Sequence, residues 1–483
     1  MTTAVPARRR GVPRISFRAV PPSLRPALRA FLLGFASTVG PRLVSLLARY
    51  VKSKRAATDE NEKIRIADSL RAVLASGFGW NRFPAFCALF VGGSTFLEIP
   101  VRRLLRKILG SGVSTLTLTR LGRWFSTFFS AALSLRLLQS RRTAAYIEVT
   151  PEKAADAPGA QAKTVIYGGR TLDLTLFAAA RAVDVIVRAA WTRSAGNSKS
   201  KAASIIGKLA DPVVFSLSSA AIMWAWFFTP ANLPRSYRQW ISSAAAVDNR
   251  LIEALRRCRN RELRYGEETG QAPLLSSMCQ DYDLPLEWGD PVVTTPFPCE
   301  LVHMGCGPSC ELHAVSRFYR SFRWSLATYL PLSFALQLRN KPSAAAFRKT
   351  LLSAARSSLF LGTFITLFYY GVCLARTRIG PRVIGTDREA RNKIDGGICV
   401  GTGCALCGWS ILLEAERRRP ELALFVTPRA LATFLPRRYP VEKEWREVVT
   451  FAASAAVLVC AAAEDKEAVR GVFGRLVRKV LER

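Results

Sequence analysis

The side chains best suited to chemistry gather in one short segment of this chain. Both of its histidines lie there, beside three of its 11 cysteines. Thiolate sulfur and imidazole nitrogen are typical ligands of tetrahedral zinc, which takes four of them. The spacing predicts a structural zinc site with the ligands Cys299, His303, Cys306 and Cys310, and with His313 as a substitute. Unrelated interfacial cysteines, a redox pair and palmitoylation are the alternatives.

Catalytic motifs are missing from the sequence. It has no phosphate-binding loop, no nucleophile elbow and no paired histidines of a metalloprotease. Because both histidines lie in one cluster, a serine–histidine or cysteine–histidine mechanism has few candidates. A second cysteine group, Cys399, Cys404 and Cys407, sits in an apolar run and is better explained as packing. The sequence predicts that the protein is not an enzyme and assigns no catalytic residue; an enzyme acting on lipid within the bilayer is an alternative.

Long apolar stretches must position these side chains. Hydrophobic residues make up 49% of the 483 residues, and the formal net charge is +35, which excludes general disorder. Six stretches without acidic or basic residues approach or reach the length of a bilayer span: Phe83–Leu97, Pro212–Pro234, Ser325–Leu338, Ser357–Ala375, Gly396–Leu413 and Val448–Ala463. Four weaker stretches contain charge: Pro26–Tyr50, Val113–Leu138, Leu172–Trp191 and Glu421–Leu435. The sequence predicts an all-α, multi-pass transmembrane helical bundle; a large soluble helical protein is the alternative.

One of the weaker stretches, Leu172–Trp191, carries a charged stripe. On a helix, Asp173, Arg181, Asp184 and Arg188 fall on one side. Asp184 and Arg188 have the i,i+4 spacing of an ion pair. If the helix spans the bilayer, the stripe must face the bundle interior, because a charge that faces lipid is costly.

The chain also shows an internal duplication. Asp173–Val183 aligns with Glu421–Leu431, with an acid, two leucines, a phenylalanine, an arginine and an alanine in register. Upstream, Phe86, Leu89 and Phe90 match Phe364, Leu367 and Phe368; downstream, Val213-Val214 and Ser219–Ala221 match Val448-Val449 and Ser454–Ala456. Since the three matches keep their order, we expect two related helical halves. Five spans per half would make the halves inverted, and four would make them parallel.

These features divide the chain into four segments. Residues 1–25 form a basic arm that is expected to be disordered, and residues 26–239 form the first helical membrane half. Residues 240–316 are a polar central connection, and residues 317–483 are the second half. Within the connection, residues 266–300 hold only acidic charge, which indicates either a docking surface for a basic protein or neutralisation by the preceding arginines. Anionic lipid is the expected partner of the basic charge, and nucleic acid is not, because the charge is interleaved with membrane segments.

Three blocks of sequence resemble the transmembrane protein 135 family. The first is Ala210–Phe215, followed by Pro230, Pro234 and Ser236-Tyr237. The second is Gly289-Asp290-Pro291, which leads to Cys299, His303 and Cys310. The third is Ser357–Gly362, followed by Ser410-Ile411, Glu414 and Arg417–Arg419. Together the blocks span about residues 210–435, and Met304 stands where the family pattern has proline after the histidine.

The resemblance implies an integral membrane protein of peroxisomes or mitochondria. Its expected role is non-enzymatic and concerns lipid homeostasis and organelle dynamics. The family is also said to be distantly similar to translocase subunits of the inner mitochondrial membrane. A transporter or a translocase-like pore built from the duplicated bundle is therefore the alternative function.

Overall fold

A computed structural model describes residues 20–54, 60–110, 112–150, 163–195, 201–337, 343–465 and 467–482. Within these ranges the chain is almost entirely helical. Its helices are α1 (Arg25–Lys54), α2 (Glu60–Ala75), α3 (Phe83–Leu109), α4 (Thr115–Gln139), α5 (Leu172–Ala195), α6 (Lys201–Phe228), α7 (Arg235–Ala245), α8 (Asn249–Arg259), α9 (Ala272–Asp281), α10 (Cys299–Val302), α11 (Cys310–Gln337), α12 (Ala344–Thr377), α13 (Ile379–Val383), α14 (Arg388–Lys393), α15 (Cys399–Cys407), α16 (Arg419–Thr433), α17 (Trp445–Glu464) and α18 (Gly471–Leu481). A small antiparallel sheet joins β1 (Ile147–Thr150), β2 (Lys163–Gly168) and β3 (Tyr439–Pro440).

Six described segments are helical, long and apolar enough to cross a membrane. They are Arg25–Tyr50, Phe83–Leu109, Ser204–Phe228, Ala344–Val383, Arg388–Leu413 and Val441–Glu464. The predicted all-α, multi-pass helical bundle is thereby confirmed. Five segments coincide with predicted long stretches, while the sixth, Arg25–Tyr50, comes from the weaker set. Ser325–Leu338 is not among the six, because the apolar part of α11 is short and follows Arg317, Arg320 and Arg323 on the same helix.

The first compact unit, unit 1, comprises Met1–Ile186 and Arg438–Arg483. Its core holds apolar residues of α3, α4, α5 and α17, including Phe86, Leu135, Ala182 and Phe451. The basic arm of residues 1–25 belongs to this part of the chain, and its residues 1–19 lie outside the described ranges.

Helix α4 of unit 1 has the polarity of a helix in lipid. It buries the hydroxyl side chains of Ser126, Ser130 and Ser134, whereas Phe129 and Leu133 are 57% and 61% exposed. A Cβ at Gly93 of α3 would lie only 2.6 Å from the Ser130 Oγ, so the two backbones approach closely there. Small residues inside and large apolar residues outside are typical of packing between membrane helices.

The second compact unit, unit 2, comprises Val187–Arg437. Its main core combines apolar residues of α6, α7, α12, α15 and α16. A smaller core within the central connection contains Leu251, Leu275, Met278 and Leu301. The central connection therefore packs as a folded part of unit 2.

The two units do not coincide with the two sequence halves at residues 26–239 and 317–483. The matching helices α3 and α5 lie in unit 1, and their counterparts α12 and α16 lie in unit 2. Helix α6, however, packs against α15 and α16 of unit 2, and its counterpart α17 packs against α4 of unit 1. Each unit therefore contains one helix of each matched pair. In unit 1 the third helix, α17, comes from the second sequence half, and in unit 2 the third helix, α6, comes from the first sequence half. The duplication and the four predicted segments stay predictions.

Candidate functional site

Two short helices of the central connection position the cysteine–histidine segment. Cys299 begins α10, directly after Pro298, and His303 follows the end of that helix. The chain then turns back through Met304, Gly305 and Gly307, whose φ angles are 56°, 75° and 80°. Glycine adopts such left-handed conformations without strain. The turn allows α11 to begin at Cys310, beside the residues that precede it.

Cys299, His303 and Cys310 come together as the sequence predicts. Their three ligand atoms all lie within 4.8 Å of one another. His303 is fully buried and Cys310 is 8% exposed. Two sulfurs and one imidazole nitrogen at this separation form a partial site for a soft divalent metal ion such as zinc.

A fourth side chain reaches this cluster from α12. The Sγ of Cys373 lies 3.3 Å from the Nε2 of His303. Cys373 is itself buried, at 5% exposure. Sequence spacing does not reveal this residue, because it lies far along the chain inside the apolar stretch Ser357–Ala375.

Burial favours the neutral forms of Cys299 and His303. It raises the pKa of Cys299 to about 11, with the nearby Cys310 adding to the effect and Arg376 opposing it. Burial also lowers the pKa of His303, and it lowers that of His313 to about 3. The two imidazole rings stack at 4.3 Å between centroids, which two uncharged rings tolerate.

Two of the predicted ligands lie outside the cluster. Cys306 is half-buried on the left-handed turn and is not part of the group that could hold a metal. His313 lies one turn after Cys310 on α11, but it presents its ring face, rather than a nitrogen, to His303. The predicted use of Cys306, and of His313 as a substitute, is corrected for this reason: the turn and the stacking direct both side chains elsewhere.

The second cysteine group has the packing role that the sequence predicts. Cys399, Cys404 and Cys407 are buried in the apolar core of unit 2. The Cys407 Sγ faces the Cys404 backbone oxygen at 3.3 Å, within the same helix. These thiols fill space between helices.

A buried ion pair that the sequence did not predict lies at the end of α12. Arg376 donates from Nε and Nη2 to the two oxygens of Asp395, at 2.6 and 2.8 Å. Its Nη2 also donates to the backbone oxygen of Phe297, at 3.3 Å, and Tyr265 donates its hydroxyl to Asp395. Asp395 lies in the π-helical segment Ile394–Ile398 and directly precedes the apolar stretch Gly396–Leu413. This network ties the central connection to two membrane helices.

The charged stripe of α5 makes contacts within unit 1 that differ from the predicted pair. The partner of Asp184 is Arg470, whose Nε lies 3.1 Å from Oδ2. Arg181 stacks its guanidinium against the rings of Phe177 and Phe473, at 4.9 and 5.0 Å. Arg470 directly precedes α18 and Phe473 lies in its first turn, so both contacts join α5 to the start of α18.

The ends of the stripe lie in different surroundings. Asp173, in the first turn of α5, is exposed, and Arg188 is half-buried beyond the point where unit 1 ends. Helix α5 is not among the six apolar segments that could cross a membrane.

An apolar cavity lies among the helices of unit 2. It has a volume of about 450 Å³ and is lined by residues of α6, α7, α11, α12 and α16, including Phe215, Met223, Ala244, Phe364 and Val426. Cavities of roughly 300–1,000 Å³ with mostly apolar walls are typical of ligand sites. Two of the helices, α6 and α12, belong to the segments that could cross a membrane.

Aromatic and basic side chains flank this cavity. Tyr237 and Trp240 both line it, and their rings stack at 6.1 Å. Arg429 of α16 holds its guanidinium 5.3 Å from the Tyr237 ring and 3.9 Å from the Phe425 ring. Trp240 and Phe425 are 41% and 49% exposed, so they mark the open side. Burial raises the pKa of Tyr237, which keeps its hydroxyl protonated.

The acidic part of the central connection is partly neutralised by its own arginines. Asp281 pairs with Arg250 at 2.7 Å, and Glu267 pairs with Arg264 at 2.9 Å. These pairs favour internal neutralisation over a docking surface for a basic protein.

Comparison with protein-family models, curated proteins and solved structures finds no match for this chain. The resemblance to the transmembrane protein 135 family therefore stands on its three sequence blocks. All three lie in unit 2, where they contribute to α6, α10 and α12.

Proposed function

We propose that this protein is a non-enzymatic lipid-binding protein of a peroxisomal or mitochondrial membrane, and that it acts in lipid homeostasis and organelle dynamics. The observation that carries this proposal is the apolar cavity of unit 2. The resemblance described above supports the choice of organelle and the role.

The cavity is better suited to one acyl chain of an anionic lipid than to a polar solute. Its walls are apolar and aromatic, which suits a hydrocarbon chain but leaves a polar solute without partners. Arg429 lies beside the Tyr237 that lines it, so a carboxylate or phosphate at the opening would meet a cation.

The contacts of α5 agree with a structural role for its charges. Arg181 contacts Phe473 of α18 and Asp184 contacts Arg470 directly before it, which holds both charges in packing interactions. A transport pathway along this stripe would require them to face a cavity in the middle of the membrane.

Photo-crosslinking tests lipid binding directly. The purified full-length protein is incubated with a photoactivatable, alkyne-tagged palmitic acid, irradiated and digested, and the labelled peptides are identified by mass spectrometry. We expect labels on α6, α7, α12 or α16. Labels that fall only on helices of unit 1, or none above the level of a denatured sample, would contradict the proposal.

A pair of variants on α7 provides the matched control. Ala244→Phe places a ring into the cavity, whereas Ser243→Phe adds the same ring on the exposed side of the helix. We expect Ala244→Phe to weaken binding at least about tenfold, or 1.4 kcal/mol, and Ser243→Phe to bind like the parent. Arg429→Gln should remove the preference for palmitic acid over its methyl ester, because only the acid carries a charge.

A second candidate function, transport of a polar solute, is favoured by a cavity in unit 1. It has a volume of about 200 Å³ and is lined by polar residues of α3 and α4, including Thr95, Glu98 and Arg123. Glu98 and Arg123 form an ion pair at 3.2 Å, and the buried Thr127 hydroxyl has no hydrogen-bond partner among the described residues. Solute flux into proteoliposomes that is abolished by Glu98→Gln would favour this function over the first.

A further inference from the structure

Three cysteines and one histidine from two distant parts of unit 2 converge at the start of α11. Cys299, His303 and Cys310 belong to the central connection, and Cys373 belongs to α12. We propose that these four residues bind one zinc ion, with Cys373 as the fourth ligand. The ion would join the central connection to a membrane helix.

The orientation of His303 suits metal binding. Its Nδ1 lies 2.8 Å from the backbone oxygen of Gly307 and can donate its hydrogen to that carbonyl. The Nε2 then carries the lone pair, and this is the atom that faces the Cys373 Sγ. In metal sites the second ring nitrogen of a ligand histidine usually donates to a carbonyl or carboxylate, which fixes the tautomer.

A left-handed turn positions the Gly307 carbonyl beside His303. Gly307 has a φ of 80°, and Met304 and Gly305 are also left-handed. Because three residues of one short loop adopt this conformation, the chain doubles back and brings the Gly307 oxygen onto the ring of His303. The strained position of Met304, which is not a glycine, is consistent with a site that fixes the loop.

The distances are close to those of a zinc site. Ligand lengths of about 2.3 Å for Zn–S and 2.0 Å for Zn–N in a tetrahedron imply separations of about 3.8 Å between sulfurs and 3.5 Å between sulfur and nitrogen. The ligand atoms of Cys299, His303 and Cys310 lie within 4.8 Å of one another, and Cys373 lies 3.3 Å from His303. Cys373 lies outside this mutual group of three, so its Sγ must move closer to Cys299 or Cys310 when the ion binds.

Charge and burial indicate a structural role for the ion. Three thiolates and one neutral imidazole around Zn²⁺ leave one net negative charge, and the guanidinium of Arg376 acts on Cys299 from nearby. His303, Cys310 and Cys373 are nearly inaccessible to solvent. Four protein ligands in a closed site leave no position for a substrate, which is the arrangement of structural zinc.

Cys373 is what makes the site a link between elements. With Cys306 as the fourth ligand, the ion would hold only a local loop. With Cys373, it connects α10 and α11 to α12, near Arg376, which donates to the backbone oxygen of Phe297 just before α10. Zinc binding would therefore stabilise the docking of the central connection on the membrane helices of unit 2.

The experiment measures zinc in the full-length protein, purified without chelators, by elemental analysis. We expect about one equivalent in the parent protein. Cys373→Ser should lose the metal, whereas Cys306→Ser and the core variant Cys404→Ser should retain it. Cys373→His should restore binding, because histidine also ligates zinc; this variant separates the loss of a ligand from a general loss of folding.

A cobalt-substituted sample gives a second readout. Tetrahedral coordination by three sulfurs and one nitrogen predicts intense visible absorption and a sulfur-to-cobalt charge-transfer band in the near ultraviolet, both reduced by Cys373→Ser and unchanged by Cys306→Ser. Less than about a tenth of an equivalent of zinc in the parent protein, or full zinc retention in Cys373→Ser, would overturn the proposal. A disulfide among these cysteines, detected by mass spectrometry of the alkylated protein, would overturn it as well.

Discussion

At the scale of single residues, the groups that depend most on their partners are buried charged side chains in the membrane helices of unit 2. Arg376 and Asp395 are 6% and 2% exposed as side chains, and each meets more than one partner. A charge in such a position is tolerated only while its partners are present. The pair therefore fixes the relative positions of α12 and the π-helical segment Ile394–Ile398.

Removal of one member of this pair should strongly destabilise the protein. For Asp395→Leu we expect a loss of about 3–5 kcal/mol in the free energy of unfolding, because Arg376 would remain buried without its counter-charge. The double variant Arg376→Met, Asp395→Asn should recover at least half of the loss, since no charge is then left and Tyr265 keeps an acceptor. Thermal unfolding in detergent, followed by tryptophan fluorescence, measures both.

The exposed pair Glu311–Arg378 is the control for this experiment. Both side chains are 52% exposed. Water and salt screen such a pair, so Glu311→Leu should leave the unfolding temperature unchanged. An equal effect of Asp395→Leu and Glu311→Leu would contradict the importance assigned to the buried pair.

At the scale of elements, α5 shows how tertiary packing selects among the partners that a sequence allows. The i,i+4 spacing of Asp184 and Arg188 predicts a pair along one helix. The structure instead pairs Asp184 with Arg470, which directly precedes α18. The side chains of Arg470 and Asp184 are 22% and 12% exposed. A bidentate arginine–carboxylate contact of this kind fixes orientation better than a pair along one helix.

Charge reversal distinguishes the two partners of Asp184. Asp184→Lys should lower the unfolding temperature and the yield of folded protein, because it places two cations side by side at a partly buried site. Adding Arg470→Asp should restore much of the loss, whereas adding Arg188→Asp should restore little. Rescue by Arg188→Asp alone would show that the pair within α5 is the one that matters.

At the scale of the whole molecule, each sequence half contributes one helix to the unit that the other half mainly builds. Helix α6 of the first half packs in unit 2, and α17 of the second half packs in unit 1. Unit 1 is incomplete until α17, near the end of the chain, has been synthesised. Unit 2 includes α6, which comes before its other helices in the chain. Neither sequence half contains a complete unit. The repeats therefore cannot fold as two independent domains.

Co-expression of two fragments tests this dependence. Residues 1–234 and 235–483 should each be unstable alone, and they should co-purify when expressed together, because each supplies one helix of the other's unit. As a control, residues 1–199 lack α6 and should stabilise the second fragment much less. Stable, separately folded fragments would contradict the exchange of helices.

Much of this architecture could be predicted from the sequence. Helix length and apolar composition are local properties, so the stretches at Phe83–Leu97 and Val448–Ala463 correctly predict membrane-spanning helices. The stretch Val113–Leu138 of α4 is a weaker prediction because it contains charge, and its sequence alone does not show that Ser126, Ser130 and Ser134 face the interior of unit 1. An average over a stretch does not show on which side of a helix each residue lies.

The sequence by itself determined an all-helical bundle with segments long and apolar enough to cross a membrane, and the cluster of Cys299, His303 and Cys310. These depend on composition and on residues close together in the chain. Only the tertiary structure decided that Cys373 lies against His303, that Arg470 pairs with Asp184, and that α6 packs in unit 2 while α17 packs in unit 1. Each of these is a contact between segments far apart in sequence, and the spacing of residues along a chain carries no information about which distant helix packs beside it.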